Sequence, residues 1–524
     1  MSAALETDER PHPLDRFAIW GVLVLAAVLR AFELGARSLW TDEGSTWTAA
    51  SLPLGAMLRR CVERDASPPL FYLLTSWGLE FGDGEAQLRL VSYAASLALV
   101  WLTYRIGRLG LSRRRSAFAA LLTALAPYQV MYAQEARTYT LAAALLVAGI
   151  WFYARASITN RRSHWAGLAL MTALGAWTQT IALLGISAQA ALTLGTKSGR
   201  RRWLPWGLAL AAGAAMYLPW AWYSRGVAEH LSSSHWYIPD PDAKGVFKVL
   251  RAALLSPLPL VGAPEGSTMP GLDAYLPRSL AWALVSLPVA IALFVGLPEL
   301  AGRDGRGRLT RVAWAAWFVP VAAVFVLSFQ RPLFLPRYFV FVTPAVSLLL
   351  TLGASALNPR PWRFVLGGWL AALAVLGLVR YSHDYTKEPW RDVTADIRAR
   401  SAAGRTAVLV PFDVDPFAYY NRTAPQPVVS FEVSHPDEPF AAMFTPRQLD
   451  ELQEAARRNT SPYDEVWVVV RSPNSDVRRE VARRAEAVAG EGRALVERRR
   501  WDSLTGPLRV SRFVRGAVTP DSLR

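Results

Sequence analysis

Apolar residues come in long blocks separated by short polar connections over the first three quarters of the chain. Several blocks approach the about 20 residues needed to cross about 30 Å of hydrocarbon. This pattern predicts a polytopic α-helical membrane protein with about eleven transmembrane helices. The eight clearest runs and three shorter ones are Phe17–Phe32, Leu88–Arg105, Thr138–Trp151, Leu204–Tyr223, Leu280–Leu297, Val312–Phe329, Tyr338–Leu352, Phe364–Val379, Ala117–Pro127, Trp165–Thr178 and Ile181–Leu194.

The pattern changes near Val379, where apolar runs give way to short strand-like segments that alternate with amphipathic helical ones. This alternation predicts a small α/β domain over residues 381–524, following a membrane module over residues 1–380. The predicted strands are Thr406–Pro411, Pro427–Phe431 and Glu465–Val470, and the predicted helices are Pro446–Arg457 and Asp476–Ala489.

The formal net charge of +16 comes from arginine clusters placed mostly in short connections between apolar runs, such as Arg113–Arg115 and Arg200–Arg202. Such loops are typically cytoplasmic. The amino terminus is then cytoplasmic, whereas the loops at about 34–68 and about 224–276 and the carboxyl-terminal domain lie outside the cytoplasmic (inner) membrane. Because the basic residues alternate with spans instead of gathering on one domain, we expect no nucleic-acid partner.

Asp42 and Glu43 lie between Trp40 and Trp47 in the first outer loop. Tryptophan is typical of the membrane interface, where carboxylates without a function are disfavoured. A carboxylate at this depth is a candidate general base toward a hydroxyl, or a ligand for a divalent cation. A solvated pair, or an ion pair with Arg37, is the alternative interpretation.

Three further segments carry candidate residues. Glu135 and Arg137 are two residues apart, so on a helix they do not face each other. Arg337 precedes a span, where it is either an anchor or a phosphate-binding group. Trp390 and Arg391 follow the last span and are expected to anchor the chain at the membrane. The six histidines form no cluster with acids, although His235 is a candidate substrate contact.

These motifs, in this order, resemble the polytopic glycosyltransferases of the GT-C fold, specifically bacterial proteins of glycosyltransferase family 39, which are protein mannosyltransferase-like. The resemblance covers nearly the whole membrane part. The matching positions are Asp42 and Glu43, Pro68–Leu70, Arg89, Gln134, Glu135, Arg137 and Tyr139, Arg337 and Tyr338, and Pro389–Asp392.

The resemblance implies inverting transfer of a sugar from a polyprenyl-phosphate-linked donor to a hydroxyl acceptor, either a protein, a glycolipid or a glycan, on the outer face. It implies Asp42 as the base, with Glu43 orienting it or raising its proton affinity. The residues expected to bind donor or phosphate are Arg89, Gln134, Glu135, Arg137, Tyr139, Arg337 and Tyr338. Those expected as possible acceptor or donor contacts are Asp65, Gln179, His235 and Trp236.

Two positions depart from the family pattern. Relatives often have histidine where this chain has Ser67 and Gln179. A divalent cation is therefore possible but is not assigned. A lipid or solute transporter is the competing interpretation, but such proteins often have two related halves and charges in mid-span. This sequence shows no internal repeat, and its strongest carboxylates lie outside the predicted spans.

Overall fold

The computed structural model describes residues 17–63, 67–225, 242–262, 267–330, 333–401, 404–411, 414–423, 428–430, 446–471 and 476–520. Asp65, His235 and Trp236, three of the expected contacts, lie outside these residues. The helices are Ala18–Ala31, Thr41–Ala50, Leu54–Glu63, Leu70–Leu79, Glu85–Leu88, Leu90–Gly107, Arg113–Leu125, Pro127–Ala133, Thr138–Thr159, Arg162–Thr178, Gly185–Gly195, Lys197–Arg200, Trp203–Tyr223, Ala243–Leu254, Arg278–Gly296, Gly305–Leu327, Val342–Ala356, Pro361–Asp384, Trp390–Arg400, Val414–Asn421, Pro446–Thr460 and Asp476–Ala489. The 3₁₀ helices are Thr180–Leu184, Leu272–Ala274, Leu297–Ala301 and Pro336–Phe339.

The chain is a polytopic helical membrane protein, but it has fewer long spans than predicted. Within the described ranges, five helices are long and apolar enough to cross a membrane, or six if a pair bent by 60° at Pro127 counts as one span. Proline breaks the helical hydrogen-bond ladder and so accounts for the bend. The prediction of about eleven is not confirmed, since Phe17–Phe32 and Tyr338–Leu352 yield helices of 14 and 15 residues.

Small residues and buried polar groups let the membrane helices approach closely. A Cβ added at Gly353 would lie 1.7 Å from the carbonyl oxygen of Ala292, so the two helices touch through backbone at this point. Arg30, which is fully buried, donates from Nε to Ser96 Oγ (2.6 Å) and from Nη1 to the carbonyl of Ala124 (3.0 Å). These bonds tie the helix 18–31 to the helices 90–107 and 113–125.

The carboxyl-terminal part contains a five-stranded mixed sheet with the order β2-β1-β3-β5-β4. Strands β1 (Thr406–Val410), β2 (Val428–Ser430) and β3 (Glu465–Arg471) are parallel, and all three were predicted. The antiparallel strands β4 (Ala494–Trp501) and β5 (Leu508–Val514) were not. Strand β4 carries the charged run Glu497–Arg500 on the sheet edge, which hides the usual apolar alternation.

The sheet domain packs directly on the segment predicted as the first outer loop. Residues 34–68 contain two helices rather than a plain loop, Thr41–Ala50 and Leu54–Glu63. The carboxylate of Asp415 accepts from Thr48 Oγ1 (2.7 Å) and from Arg60 Nη2 (2.8 Å). The helix 41–50, which carries both candidate acids, is thus held partly by the carboxyl-terminal domain.

Gly44 permits this contact, because a Cβ there would lie 2.5 Å from Pro416 Cδ. We expect Gly44→Ala to separate the helix 41–50 from Val414–Asn421 and to destabilise the protein by about 1–3 kcal/mol, as overpacking does. The measurement is thermal unfolding of purified protein in detergent. Gly207→Ala is the matched control, since nothing lies within 4 Å of its added Cβ. An unchanged melting temperature for Gly44→Ala would refute the contact.

Candidate active site

Two adjacent acids in the first turn of the helix 41–50 have opposite environments. Glu43 is fully buried, whereas the Asp42 side chain is 28% exposed. Glu43 Oε1 accepts from Arg89 Nε (2.8 Å), and Oε2 accepts from Arg89 Nη2 (2.9 Å) and Lys387 Nζ (2.9 Å). The backbone N–H of Ala136 also donates to Oε1 (2.9 Å). We call this group, Glu43 with Arg89 and Lys387, the buried ion cluster.

Glu43 is ionised in this cluster. Burial alone would raise the pKa of Glu43, but the charges and hydrogen bonds of Arg89 and Lys387 lower it to about 2. Burial and the charge of Arg89 lower the pKa of Lys387 to about 8, so the ammonium depends on Glu43 to offset its desolvation. A carboxylate with these partners and no solvent access holds the helix that carries Asp42 in place. A part for Glu43 in catalysis, by orienting Asp42 or raising its proton affinity, stays a prediction.

Arg89 was expected to bind donor or phosphate, but the structure places it with the protein's own acceptors. Its side chain is 1% exposed. Besides both oxygens of Glu43, it donates to the carbonyl oxygens of Leu34 (2.6 Å) and Arg37 (3.0 Å). It therefore fixes the chain entering the helix 41–50, and its expected contact with donor or phosphate stays a prediction.

Gln134 and Glu135 are also buried and bind side chains of the protein, and their expected contacts with the donor stay predictions. Gln134 Oε1 accepts from Arg37 Nη1 and from Tyr381 Oη, both at 2.8 Å. Glu135 Oε1 accepts from Tyr385 Oη (2.8 Å), and burial raises the pKa of its carboxyl group. Both side chains join the segment before the helix 138–159 to the end of the last span.

Asp42 lies beside the two other expected arginines. Its Oδ2 is 3.8 Å from Arg137 Nε and 3.7 Å from Arg337 Nη1. The guanidinium of Arg137 lies 5.8 Å and that of Arg337 5.7 Å from the ring centroid of Tyr139, and Arg337 lies 5.8 Å from that of Tyr338. The structure thus brings five sequence-predicted residues into one group, which we call the Asp42 cluster.

Local structure explains this convergence. Asp42 is in the first turn of the helix 41–50, and Arg137 is the residue immediately before the helix 138–159. Arg337 lies in the 3₁₀ helix Pro336–Phe339, which precedes another apolar helix. Asp42, Arg137 and Arg337 therefore all lie where a chain segment begins a helix, and these three helix starts lie side by side. The side chains of Arg137 and Arg337 are 17% and 21% exposed, so the cluster is open to a ligand.

The two clusters differ in how tightly their charges are paired. The contacts of Glu43 with Arg89 and Lys387 measure 2.8–2.9 Å, the length of charge-assisted hydrogen bonds. The 3.7–3.8 Å separations around Asp42 exceed hydrogen-bond length. A phosphate oxygen can therefore form shorter bonds to Arg137 and Arg337 than Asp42 does, and the Asp42 carboxylate stays accessible to a proton donor.

The segment after the last span supplies two residues of the site, Lys387 and Glu388, for which no role was predicted. Lys387 completes the buried ion cluster, and the fully buried Glu388 accepts at Oε2 from the backbone N–H and the hydroxyl of Thr41 (3.0 and 2.9 Å). Glu388 thereby binds the start of the helix 41–50, and its Oε1 lies 2.8 Å from Arg471 Nε of β3. Lys387 and Glu388 adjoin the Pro389–Asp392 motif, but the sequence does not show which helix they contact.

Two other expectations need correction. Trp390, expected at the membrane interface, is fully buried in the core beneath the sheet and donates from Nε1 to Glu388. Arg391 binds Glu85 Oε1 (2.6 Å) instead of anchoring the chain to lipid. Gln179 accepts from Thr138 Oγ1 (2.9 Å), one residue from Arg137. Although it is distant in sequence, this bond places it next to the segment that carries Arg137.

No group of three or more His, Cys, Asp or Glu side chains that could hold a metal ion occurs among the described residues. At Asp42 the neighbouring groups are two guanidinium ions, which repel a divalent cation. The donor set of the Asp42 cluster thus suits an anion better than a metal.

Comparisons with known proteins give a family match over part of the chain and a shared fold. Residues 66–223 match the family model of dolichyl-phosphate-mannose-protein mannosyltransferase. The fold resembles ArnT from Cupriavidus metallidurans in the apo state (TM-score 0.61, 16% identity, 94% of this chain and 97% of that chain). It also resembles the same protein bound to undecaprenyl phosphate, with a TM-score of 0.57 and 15% identity over 96% of this chain and 99% of that chain. A comparison with curated protein sequences gives no significant match.

A third solved structure, the archaeal oligosaccharyltransferase AglB from Archaeoglobus fulgidus in complex with an inhibitory peptide and a dolichol-phosphate, has a TM-score of 0.51. It is 11% identical, and the alignment covers 95% of this chain and 74% of that chain. The solved structures share the fold, and the family model adds the enzyme class. Together they confirm the resemblance to GT-C glycosyltransferases and identify the chain as a glycosyltransferase of that fold class.

The buried ion cluster yields a stability prediction. Glu43→Gln leaves Arg89 and Lys387 buried against a neutral amide, and we expect a loss of about 3–5 kcal/mol. Glu33→Gln is the matched control, because its 3.5 Å pair with Arg37 is partly exposed and should contribute about 0–1 kcal/mol. The measurement is unfolding in detergent at neutral pH, and equal stability of the two variants would contradict the cluster's role.

A comparison of the native protein with Glu43→Gln at different pH values tests the charge of Glu43. Its pKa is about 2 in the folded chain and near 4.5 in the unfolded one, so its stabilisation is complete above pH 4.5 and is lost as the pH falls toward 2. The difference in unfolding free energy between the native protein and Glu43→Gln should therefore shrink as the pH falls from about 4.5 toward 2.

Proposed function

We propose that this glycosyltransferase transfers a sugar from a polyprenyl-phosphate-linked donor to a hydroxyl acceptor on the outer face of the membrane, with inversion of the anomeric centre. The matching family is described by a dolichyl-phosphate-mannose donor. Two of the structures with the same fold contain undecaprenyl phosphate or dolichol-phosphate. A lipid phosphate is thus the substrate feature that recurs among these proteins.

One observation carries the proposal: a partly exposed carboxylate lies within 3.8 Å of two arginines that come from separate parts of the chain. Arginine is the side chain best shaped to bind a phosphate, because its planar donors can engage two oxygens at once. The Asp42 cluster therefore combines a proton acceptor with a phosphate-binding pair at one opening, which is what transfer from a lipid phosphate to an alcohol requires.

In the proposed reaction, the acceptor oxygen attacks the anomeric carbon while the bond from that carbon to the phosphate oxygen breaks. Asp42 takes the proton of the acceptor hydroxyl, and the electron pair of the broken bond leaves with the polyprenyl phosphate. Arg137 and Arg337 stabilise the negative charge that develops on this leaving group. Phosphate departs readily, so no second carboxylic acid is needed to protonate it.

A single displacement from the face opposite the phosphate inverts the configuration, as in the inverting half of glycosidase chemistry. Glu43, locked in the buried ion cluster, takes no proton in this scheme and holds the helix that presents Asp42. Tyr139 and Tyr338 pack beside the two guanidinium groups and restrict their orientations.

The membrane orientation follows from charge. The helices 90–107 and 138–159 begin beside Arg89 and Arg137, at the two clusters, and the arginine clusters Arg113–Arg115 and Arg161–Arg162 follow their other ends. By the positive-inside rule those clusters are cytoplasmic, and the Asp42 cluster then faces outward together with the sheet domain. The acceptor is a hydroxyl of a protein, a glycolipid or a glycan that reaches this outer opening.

Replacing the base tests its role. We expect Asp42→Asn to lower kcat by about 10²–10⁴-fold, the range for loss of a general base, while the protein stays folded and still binds polyprenyl phosphate. The assay measures release of polyprenyl phosphate from a radiolabelled polyprenyl-phosphate sugar by purified protein, in the presence of membrane-derived acceptors. Asp392→Asn, which changes an exposed aspartate, is the control. Undiminished turnover in Asp42→Asn would exclude Asp42 as the base.

The two arginines should act on a different step. We expect Arg137→Gln or Arg337→Gln to weaken polyprenyl-phosphate binding by roughly 10–100-fold, which corresponds to one or two lost charge-assisted hydrogen bonds. The exposed Arg225→Gln is the matched control. Binding by calorimetry in detergent is the measurement. Native affinity in both arginine variants would place the phosphate elsewhere.

A further inference from the structure

An apolar groove opens between the helices Ala18–Ala31, Leu90–Gly107 and Thr138–Thr159, away from the Asp42 cluster. Its volume is about 570 Å³, within the size range of ligand sites, and its walls include Leu23, Leu97 and Phe152. The only charged side chain that lines it in the described part of the chain is Arg105.

The groove lies near the opposite membrane boundary from the candidate active site. The helix 90–107 begins beside Arg89 of the buried ion cluster, and Arg105 is 16 residues further on, or about 24 Å along the axis at 1.5 Å per residue. The helix 138–159 likewise begins beside Arg137 and reaches Trp151 after about 21 Å. Measured along either helix, Arg105 and Trp151 thus lie at a similar distance from the candidate active site. They lie toward the helix ends that are followed by the arginine-rich connections.

Arg105 is held at the groove without an acidic partner. Its guanidinium lies 4.6 Å from the ring centroid of Trp101 and 4.7 Å from that of Trp151. Arg155, one helical turn after Trp151, is close enough to repel it electrostatically, and Arg155 Nε is buried with no hydrogen-bond partner. No described carboxylate acts on Arg105. Arg105 at the groove and Arg155 beside it thus have no acidic partner among the described residues, which favours an anion from outside the protein.

We propose that this groove binds an anionic phospholipid of the bilayer, with an acyl chain along its apolar walls and the phosphate at Arg105 and Arg155. Basic pockets between transmembrane helices on the cytoplasmic side are typical sites for anionic lipid head groups. The two indole rings fix Arg105 in place and belong to the aromatic belt at this boundary. The proposal does not rest on the glycosyltransferase reaction, because the site is remote from Asp42.

The test uses native mass spectrometry of the full-length protein released from detergent that contains equal amounts of phosphatidylglycerol and phosphatidylcholine with identical acyl chains. We expect the native protein to retain phosphatidylglycerol over phosphatidylcholine by at least about fivefold, because one or two basic side chains favour a head group with a net negative charge over a zwitterionic one. The double variant Arg105→Gln with Arg155→Gln should retain the two lipids equally.

Two control variants make the result specific. Arg161→Gln removes a positive charge from the same side of the protein but from an exposed position outside the groove, and it should keep the preference. Arg105→Lys with Arg155→Lys retains both charges and should restore most of it, which separates lost binding from lost folding. Equal retention of both lipids by the native protein, or an equal effect of Arg161→Gln, would overturn the proposal. Displacement of phosphatidylglycerol by undecaprenyl phosphate would overturn it too.

Discussion

The ion cluster of Glu43, Arg89 and Lys387 is the interaction on which the candidate active site depends. Its three side chains come from the helix 41–50, from the start of the helix 90–107 and from the segment after the last span. All three are essentially excluded from solvent, so each charge needs the others to offset its desolvation. Because these partners are far apart in sequence, the cluster fixes how the segment 34–68 sits on the membrane helices.

This constraint gives the adjacent acids different properties. Successive helical residues point about 100° apart, so burying Glu43 directs Asp42 away from the cluster and toward the opening. There Asp42 meets Arg137 and Arg337 at 3.7–3.8 Å, a looser contact than the 2.8–2.9 Å bonds of Glu43. The sheet domain contributes to the same placement, since Glu388 binds the start of the helix and Asp415 binds Thr48. The carboxyl-terminal domain is thus part of the framework that presents Asp42.

The sequence predicted the membrane and sheet parts and the meeting of Asp42, Arg137, Tyr139, Arg337 and Tyr338. Apolar blocks and strand alternation are local patterns, so they can be recognised in the sequence without knowledge of tertiary contacts. The roles predicted for Arg89, Gln134 and Glu43 in substrate binding or catalysis stay predictions, whereas their partners in the structure belong to the protein. The sequence could not show these partners, because a polar residue in a site motif looks the same whether it contacts a ligand or the protein. Lys387, 344 positions from Glu43, could not be paired with it from spacing.

The span count failed for a related reason. Apolar composition shows that a segment avoids water but not whether it crosses the bilayer alone or packs as a shorter helix inside the protein. The helix 342–356 illustrates this, because it is buried over almost its whole length. Its apolar residues face other helices rather than lipid.

We propose that Glu43 is a structural anion and that the arginines beside Asp42 bind the donor's phosphate. A cryo-electron microscopy structure of the protein with a polyprenyl phosphate tests this most directly. We predict that the phosphate lies between the guanidinium groups of Arg137 and Arg337, with Asp42 facing the space beside it and Glu43 still bound to Arg89 and Lys387. A phosphate bound to Arg89 or Lys387 in place of Glu43, or one remote from Asp42, would contradict the account.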